Sequence, residues 1–360
     1  MGVEGFARVA PGRLNLEATA LITFLSEFVA KRLFWLLLGS YGLAAFCPSF
    51  GLWIGRADLS NVTGSSIPFR MTLPMLLLAS ILLNAGLVVR GDQAKNIVKN
   101  PLPLLGGLVG NLVIPVALVL MLAPLLRSWH SSEEARDLLL GLALVTAMPI
   151  AGSSTAWSQH AHADLSLSLG LVLFSTCLSP LTAPIAINAL DAIVTRSSSA
   201  RLTDIATTGT GGFLSACVLV PSLAGLFLRA VLGEARIAHM KPGLRLMSAG
   251  SLLALNYANG SASLPQTVAD PDWDFLVIAV CVVASVCAST FGAGWLVGRV
   301  LHADLAQRTA LVFALGMSNN GTGLVLASVA WGDHPRVMLP ILLYNVLQQL
   351  FAAITTRLVS

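Results

Sequence analysis

The sequence predicts an all-α, polytopic membrane protein with ten transmembrane helices. Three observations predict it. First, 56% of the 360 residues are hydrophobic and 11% are charged, where a soluble domain carries about 25% charged residues. Second, apolar runs of bilayer-spanning length recur from end to end, and the mean hydropathy is +0.80. Third, the basic residues lie between the runs and form no patch. The net charge of +4 therefore reads as topology and not as a nucleic-acid surface.

The ten spans fall at 33–54, 68–89, 102–126, 136–160, 164–190, 205–232, 243–260, 273–300, 307–331 and 334–357. Ahead of the first, Glu17 to Arg32 mixes polar and apolar residues at helical spacing, as an interfacial helix does. Of 21 Lys and Arg, 14 sit at the termini and in the loops after spans 2, 4, 6 and 8, with all four lysines (Lys31, Lys95, Lys99, Lys241). The positive-inside rule then puts both termini in the cytoplasm, and the expected location is the cell (inner) membrane. The acidic loop "ADPDWD" after span 7 fits the outer side. Five cysteines lie in or beside apolar segments without metal-ligand spacing and read as free thiols.

The polar stretch "TRSSSARLTD" divides the spans five and five. The expected organisation is a cytoplasmic N-terminal segment (1–32), a first five-helix repeat (33–190), a linker (191–204) and a second repeat (205–358). Five crossings per half turn the second repeat upside down. Span 4 is interrupted at "MPIAGSST", and its counterpart, span 9, at "GMSNNGTG". Paired interruptions in two halves are the best sequence pointer to a transporter binding site.

A mid-membrane break strips backbone groups of their partners and persists only where protein, water, ion or solute replaces them. In span 4, Pro149 removes a donor and Gly152 relaxes the backbone. Ser153, Ser154 and Thr155 then act as the N-cap of the second half-helix or offer oxygens to a hard cation. Ser318, Asn319, Asn320 and Gly321 play the same part in span 9. Crossing breaks would gather positive helix N-termini for an anion and freed carbonyls for Na⁺. A packing kink satisfied by Ser and Thr back-bonding is the alternative.

The blocks "PIAGSSTAWSQHAHADLSLSLGLVLFSTCLSPLTAP" (Pro149 to Pro184) and "ALGMSNNGTGLVLA" (Ala314 to Ala327) resemble the bile acid:sodium symporter family. The resemblance runs from about Phe34 to the C-terminus. It implies two inverted five-helix repeats with broken helices 4 and 9 crossing in the core. A panel domain holds spans 1, 2, 6 and 7, and a core domain holds spans 3–5 and 8–10. It implies Na⁺ as coupling ion, with ligands falling on Asn111, Ser154, Thr155, Ser168, Leu315, Met317 and Ser318. The family's threonine in span 5 falls on Val172, which has no ligand atom. The glutamate that serves both sodium sites falls on Ala314, which leaves one neutral site filled together with an anionic solute. Solute positions fall on Gly152, Asn319 and Gln349, with Ser153, Asn320 and Gln348 adjacent.

Other polar residues carry paired readings. His160 and His162 are interfacial or relay protons. Asp164 caps span 5 or meets an ion. Asn256 and Asn259 share a face of span 7, with Asn259-Gly260 a helix C-terminus or a cavity lining. Gln348 and Gln349 face the bundle interior. Neither break fits G-x-S-x-G, and no His–Asp pair recurs at mid-membrane depth, which argues against a hydrolase. The sequence thus predicts a secondary transporter importing a small organic anion with Na⁺ across the lipid bilayer, and no enzyme. A proton-coupled or uncoupled facilitator is the alternative.

Overall fold

A computed structural model describes residues 11–59, 71–88, 101–194, 210–331 and 334–359. Thirteen helices can be numbered in chain order among these residues. They are α1 (Pro11–Phe46), α2 (Ser49–Arg56), α3 (Leu73–Val88), α4 (Pro101–Arg127), α5 (Ser132–Ala147), α6 (Ser153–His160) and α7 (Leu165–Val194). After the gap come α8 (Thr210–Leu232), α9 (Glu234–Ala269), α10 (Trp273–Val300), α11 (Leu305–Gly316), α12 (Asn320–Ala330) and α13 (Met338–Val359). A π-turn at Ser215–Leu219 interrupts α8. The linker expected at 191–204 lies outside the described residues from 195 onward.

By length and apolarity, five helices cross a membrane on their own: α4, α7, α8, α10, and Pro335–Val359, which contains α13. A sixth crossing joins Lys31–Phe46 to Ser49–Arg56, but the two are bent by 98°. The expected count of ten is not reached on this criterion for physical reasons. The interruptions cut two spans into the short pairs α5/α6 and α11/α12. Helix α9 is long but carries many polar residues.

Three local readings are corrected. The segment Glu17 to Arg32 runs unbroken into the first apolar stretch as one helix, α1. That stretch ends at Phe46, where Pro48 turns the chain, and α2 leaves with Phe50 and Trp53 stacked and exposed. Asn259-Gly260 does not end a helix, because α9 continues to Ala269. Gly260 instead makes room for α1: a Cβ there would stand 3.0 Å from Ala44 Cβ and 3.2 Å from the Tyr41 ring.

The helices pack in two groups. In the first, α1, α2 and α3 pack on α9, and α3 packs on α8. At Gly86 and Gly225 the last pair touch backbone to backbone: a Cβ on Gly86 would collide with the Ser222 carbonyl, and one on Gly225 with the Leu83 carbonyl. In the second, α10 packs on α11, α4 on α7, and α5 on α7 and α13. The groups meet where the first turns of α8 pack on α7, where α9 touches α12 and α13, and where α3 touches α12.

Two turns of the second group are built alike from the repeated "HADL" of His162–Leu165 and His302–Leu305. Each histidine takes a left-handed conformation, φ 53°, and closes the preceding helix as a C′ residue. The bonds are His162 N–H to Gln159 O and Ala163 N–H to Ser158 O, matched by His302 N–H to Arg299 O and Ala303 N–H to Gly298 O. The aspartate then caps the next helix. Asp164 Oδ1 accepts from Ser166 and Leu167 N–H, and Asp304 forms a capping box with Gln307. Asp164 N–H donates to Ala306 O at 3.0 Å, tying the two turns together.

Candidate functional site

The two interruptions cross. Ile150 and Ser318 form an isolated antiparallel bridge. Ala151 N–H donates to Met317 O at 2.8 Å, and Asn319 N–H donates to Pro149 O at 2.9 Å. Each break therefore supplies what the other lost, which is the condition for non-helical backbone inside an apolar bundle. The remaining freed groups find side chains. Ile150 N–H donates to Ser175 Oγ at 3.2 Å, and Ser318 N–H to Gln348 Oε1 at 3.0 Å. The Tyr344 hydroxyl donates to Gly316 O at 3.2 Å.

Four half-helix ends meet at this bridge: the C-terminal ends of α5 and α11, and the N-terminal ends of α6 and α12. The N-terminal ends carry partial positive charge and the C-terminal ends free carbonyls. The N-cap of α6 is Gly152, without a side-chain bond. Ser153, Ser154 and Thr155 are thus its first helical residues and not its cap, which corrects the expectation. Gly152 is exposed, and a Cβ built there would meet nothing within 4 Å. The N-cap of α12 is Asn319, whose side chain accepts from Thr322 N–H.

Of the sequence-predicted cation ligands, Ser154 is fully buried and its Oγ has no hydrogen-bond partner. Ser168 Oγ reaches Thr155 Oγ1 at 3.4 Å, joining α7 to α6. The Met317 carbonyl already accepts from Ala151 N–H and keeps one lone pair. Leu315 lies in the buried run that continues through Gly316 at the end of α11, and Ser318 is 7% exposed. Asn111 is half-buried on α4, which passes the break: a Cβ on its neighbour Gly110 would lie 3.0 Å from Leu315 Cδ2. No hydrogen bond joins Asn111 to the others.

Of the solute positions, Ser153 and Asn319 are half-buried. Asn320 is buried with both side-chain polar atoms unpartnered. Gln348 is committed to Ser318, while Gln349 Oε1 accepts from Trp157 Nε1 at 2.8 Å. Ala314 has zero exposure and packs in an apolar cluster with Leu104, Ile150, Leu171 and Leu311. The buried carboxylates among the described residues, Glu134 and Asp137, stand in the first turns of α5. Asp137 lies about 15 Å along that helix from Ala147 at its broken end. A cation at the crossing would therefore meet neutral oxygens. The oxygens and amides present fit a weakly held hard cation beside an anion.

Sequence reasoning missed Ser175, Tyr344 and Trp157, which hold the breaks and Gln349. Each is a polar atom set in an apolar run, and only a partner distant in sequence reveals its use.

The chain is similar in sequence to known proteins. The chain is 27% identical over 214 residues to the protein YbaS of Bacillus subtilis (strain 168), covering 59% of this chain and 66% of YbaS, just under two thirds of that protein. It is 23% identical over 310 residues to a protein of the same strain named as the uncharacterized sodium-dependent transporter YocS, covering 83% of this chain and 86% of YocS. The family model described as Sodium Bile acid symporter family matches residues 75–266, more than half of the chain. That stretch includes the first break, α7 and most of α9, and it ends before the second break. This multi-pass membrane protein belongs to the sodium bile acid symporter family, a family of transporters and not of enzymes.

Proposed function

We propose that the protein is a secondary active transporter that imports a small organic anion, bile-acid-like or another carboxylate, together with Na⁺ by alternating access. One observation carries the reading: the two breaks are bonded to each other through Ala151–Met317 and Asn319–Pro149. That junction puts two helix N-termini beside the unpartnered Ser154 hydroxyl and the unpartnered Asn320 carboxamide. Family membership and the sodium-dependence in the name of YocS support Na⁺ as the coupling ion.

In this reading the ten spans form two inverted five-helix repeats. The panel domain is α1–α3, α8 and α9, and the core domain is α4–α7 and α10–α13. Both termini are cytoplasmic and the membrane is the inner one. Na⁺ sits among Asn111, Ser154, Thr155 and Ser168 with the carbonyls of Leu315, Met317 and Ser318. The solute carboxylate faces Gly152, Ser153 and the amides of Asn319, Asn320, Gln348 and Gln349.

The packing of Ala314 favours a second reading, a proton-coupled or uncoupled facilitator, since among the described residues no carboxylate stands at the crossing to hold Na⁺. Uptake of a panel of labelled carboxylates into proteoliposomes, with and without an inward Na⁺ gradient, separates the two. Symport predicts uptake that rises with the gradient and loses that dependence in Ser154→Ala. Flux indifferent to Na⁺ leaves the facilitator standing, and a panel in which nothing moves overturns both.

A further inference from the structure

A chain of hydrogen bonds runs from the second break to the other helix group. Ser318 N–H donates to Gln348 Oε1 at 3.0 Å, and Gln348 Nε2 donates to Asn345 Oδ1 at 3.3 Å. Asn345 Nδ2 donates to the Tyr41 hydroxyl at 2.8 Å and to Asn256 Oδ1 at 3.0 Å. The Tyr41 hydroxyl also donates to Asn256 Oδ1 at 2.6 Å, and Asn256 Nδ2 donates to Leu252 O at 2.8 Å. Tyr41, Asn256 and Gln348 are buried and Asn345 is half-buried.

The orientation of every amide in this chain follows from its neighbours. Asn256 turns its NH₂ to the Leu252 carbonyl, so its oxygen faces Tyr41 and Asn345. Asn345 must then present its NH₂ to that oxygen and to the phenol, which leaves its oxygen for Gln348. Gln348 gives its NH₂ there and has its oxygen left for the Ser318 amide. Reversing any one amide sets donor against donor. The protons therefore all point one way, and such chains polarise and reinforce each other in a low dielectric.

The chain crosses between the two helix groups once. Tyr41 and Asn256 belong to α1 and α9, while Asn345 and Gln348 belong to α13. Two bonds from a single NH₂ group, that of Asn345, make the crossing. We propose that Asn345 is a positioning residue for transport: its carboxamide ties the grip of Gln348 on the second break to the docking of the two helix groups. The inference rests on the reading of those groups as bodies that separate during transport. On separation Asn345 loses both acceptors of its NH₂, a donor left without acceptors is costly, and it turns to a new one. Its oxygen then leaves Gln348, and the Ser318 amide becomes available to an oxygen of the anionic solute. Linkage makes the effect reciprocal: a solute that takes the Ser318 N–H loosens the contact at Tyr41 and Asn256.

Two measurements test this without solute or a sodium gradient, so a failed uptake panel does not decide it. In a cysteine-free background in nanodiscs, nitroxides at Met247→Cys on α9 and Leu181→Cys on α7 report the spacing of the groups. Both positions are exposed. Asn345→Asp keeps the acceptor for Gln348 and removes both donors to the first group. It is expected to add a second, longer distance absent from the parent. Hydrogen exchange at the Ser318 amide reports the break. Tyr41→Phe removes one hydroxyl that does not touch the break, and is expected to speed that exchange about fivefold, the ratio one net hydrogen bond gives. A merely structural Tyr41 would leave it unchanged. The proposal is overturned if Tyr41→Phe does not alter exchange at Ser318, or if monodisperse Asn345→Asp keeps the parent distance. Should Asn345→Asp fail to fold, the Tyr41→Phe exchange result alone decides.

Discussion

The two breaks answer the same backbone problem with different surroundings. The second is sealed: Gly316, Met317 and Ser318 are buried, and its loose groups are held by Tyr344, Gln348 and the Asn319 cap. The first is open on one side: Gly152 is exposed, has free space around it, and caps α6 without a side-chain bond. One break is a scaffold and the other a face. In the conformation described, the second break is closed and the first is reachable at Gly152, although both sequences look equally polar.

Three substitutions break or sharpen that contrast. The largest effect is expected at Ala314, where the sealed side meets the apolar cluster. Ala314→Glu buries a carboxylate without a partner and should lower stability by about 3–5 kcal/mol in choline chloride. If a cation site lies within reach, thermal melting in NaCl recovers part of that loss, and equal melting in both salts would remove the site. Next is Gln348→Met, of similar length but without the acceptor. It leaves the buried Ser318 N–H unpaired and should cost about 1–3 kcal/mol, read as a lower melting temperature without solute. The smallest effect on the fold is expected at Gly152→Ala. Its φ of −60° suits alanine and the space is empty, so stability should stay within about 0.5 kcal/mol. Carboxylate uptake should nevertheless fall, because a methyl now stands at the N-terminus of α6. Unchanged uptake would move the solute away from this face.

The breaks were legible because Pro149, Gly152 and the amide run at Asn319 stand out against the apolar residues on either side. Their crossing was legible only through the pairing of two halves, since nothing local in "MPIAGSST" names its partner. Asp164 was readable as a cap because capping is settled within three residues. Asn259-Gly260 was not, because the pair has the local signature of a helix end while Tyr41 and Ala44, more than 200 positions earlier in the sequence, supply the reason the helix continues. The same distance hid Asn345. In "LPILLYNVLQQL" it is one polar residue among several, and its weight comes from Tyr41 and Asn256 on two other helices. Ala314 shows the opposite case: the resemblance implies a carboxylate where this sequence has alanine, and the structure added that its neighbours are apolar too.

The glycine contact between α3 and α8 has a mechanical corollary. Where Gly86 and Gly225 bring main chains into direct touch, no layer of side chains remains to repack, and a slip of one residue would drive a Cβ into a carbonyl oxygen. Those two rods can only travel as a welded pair. Shear within this protein is thereby diverted to seams other than this one.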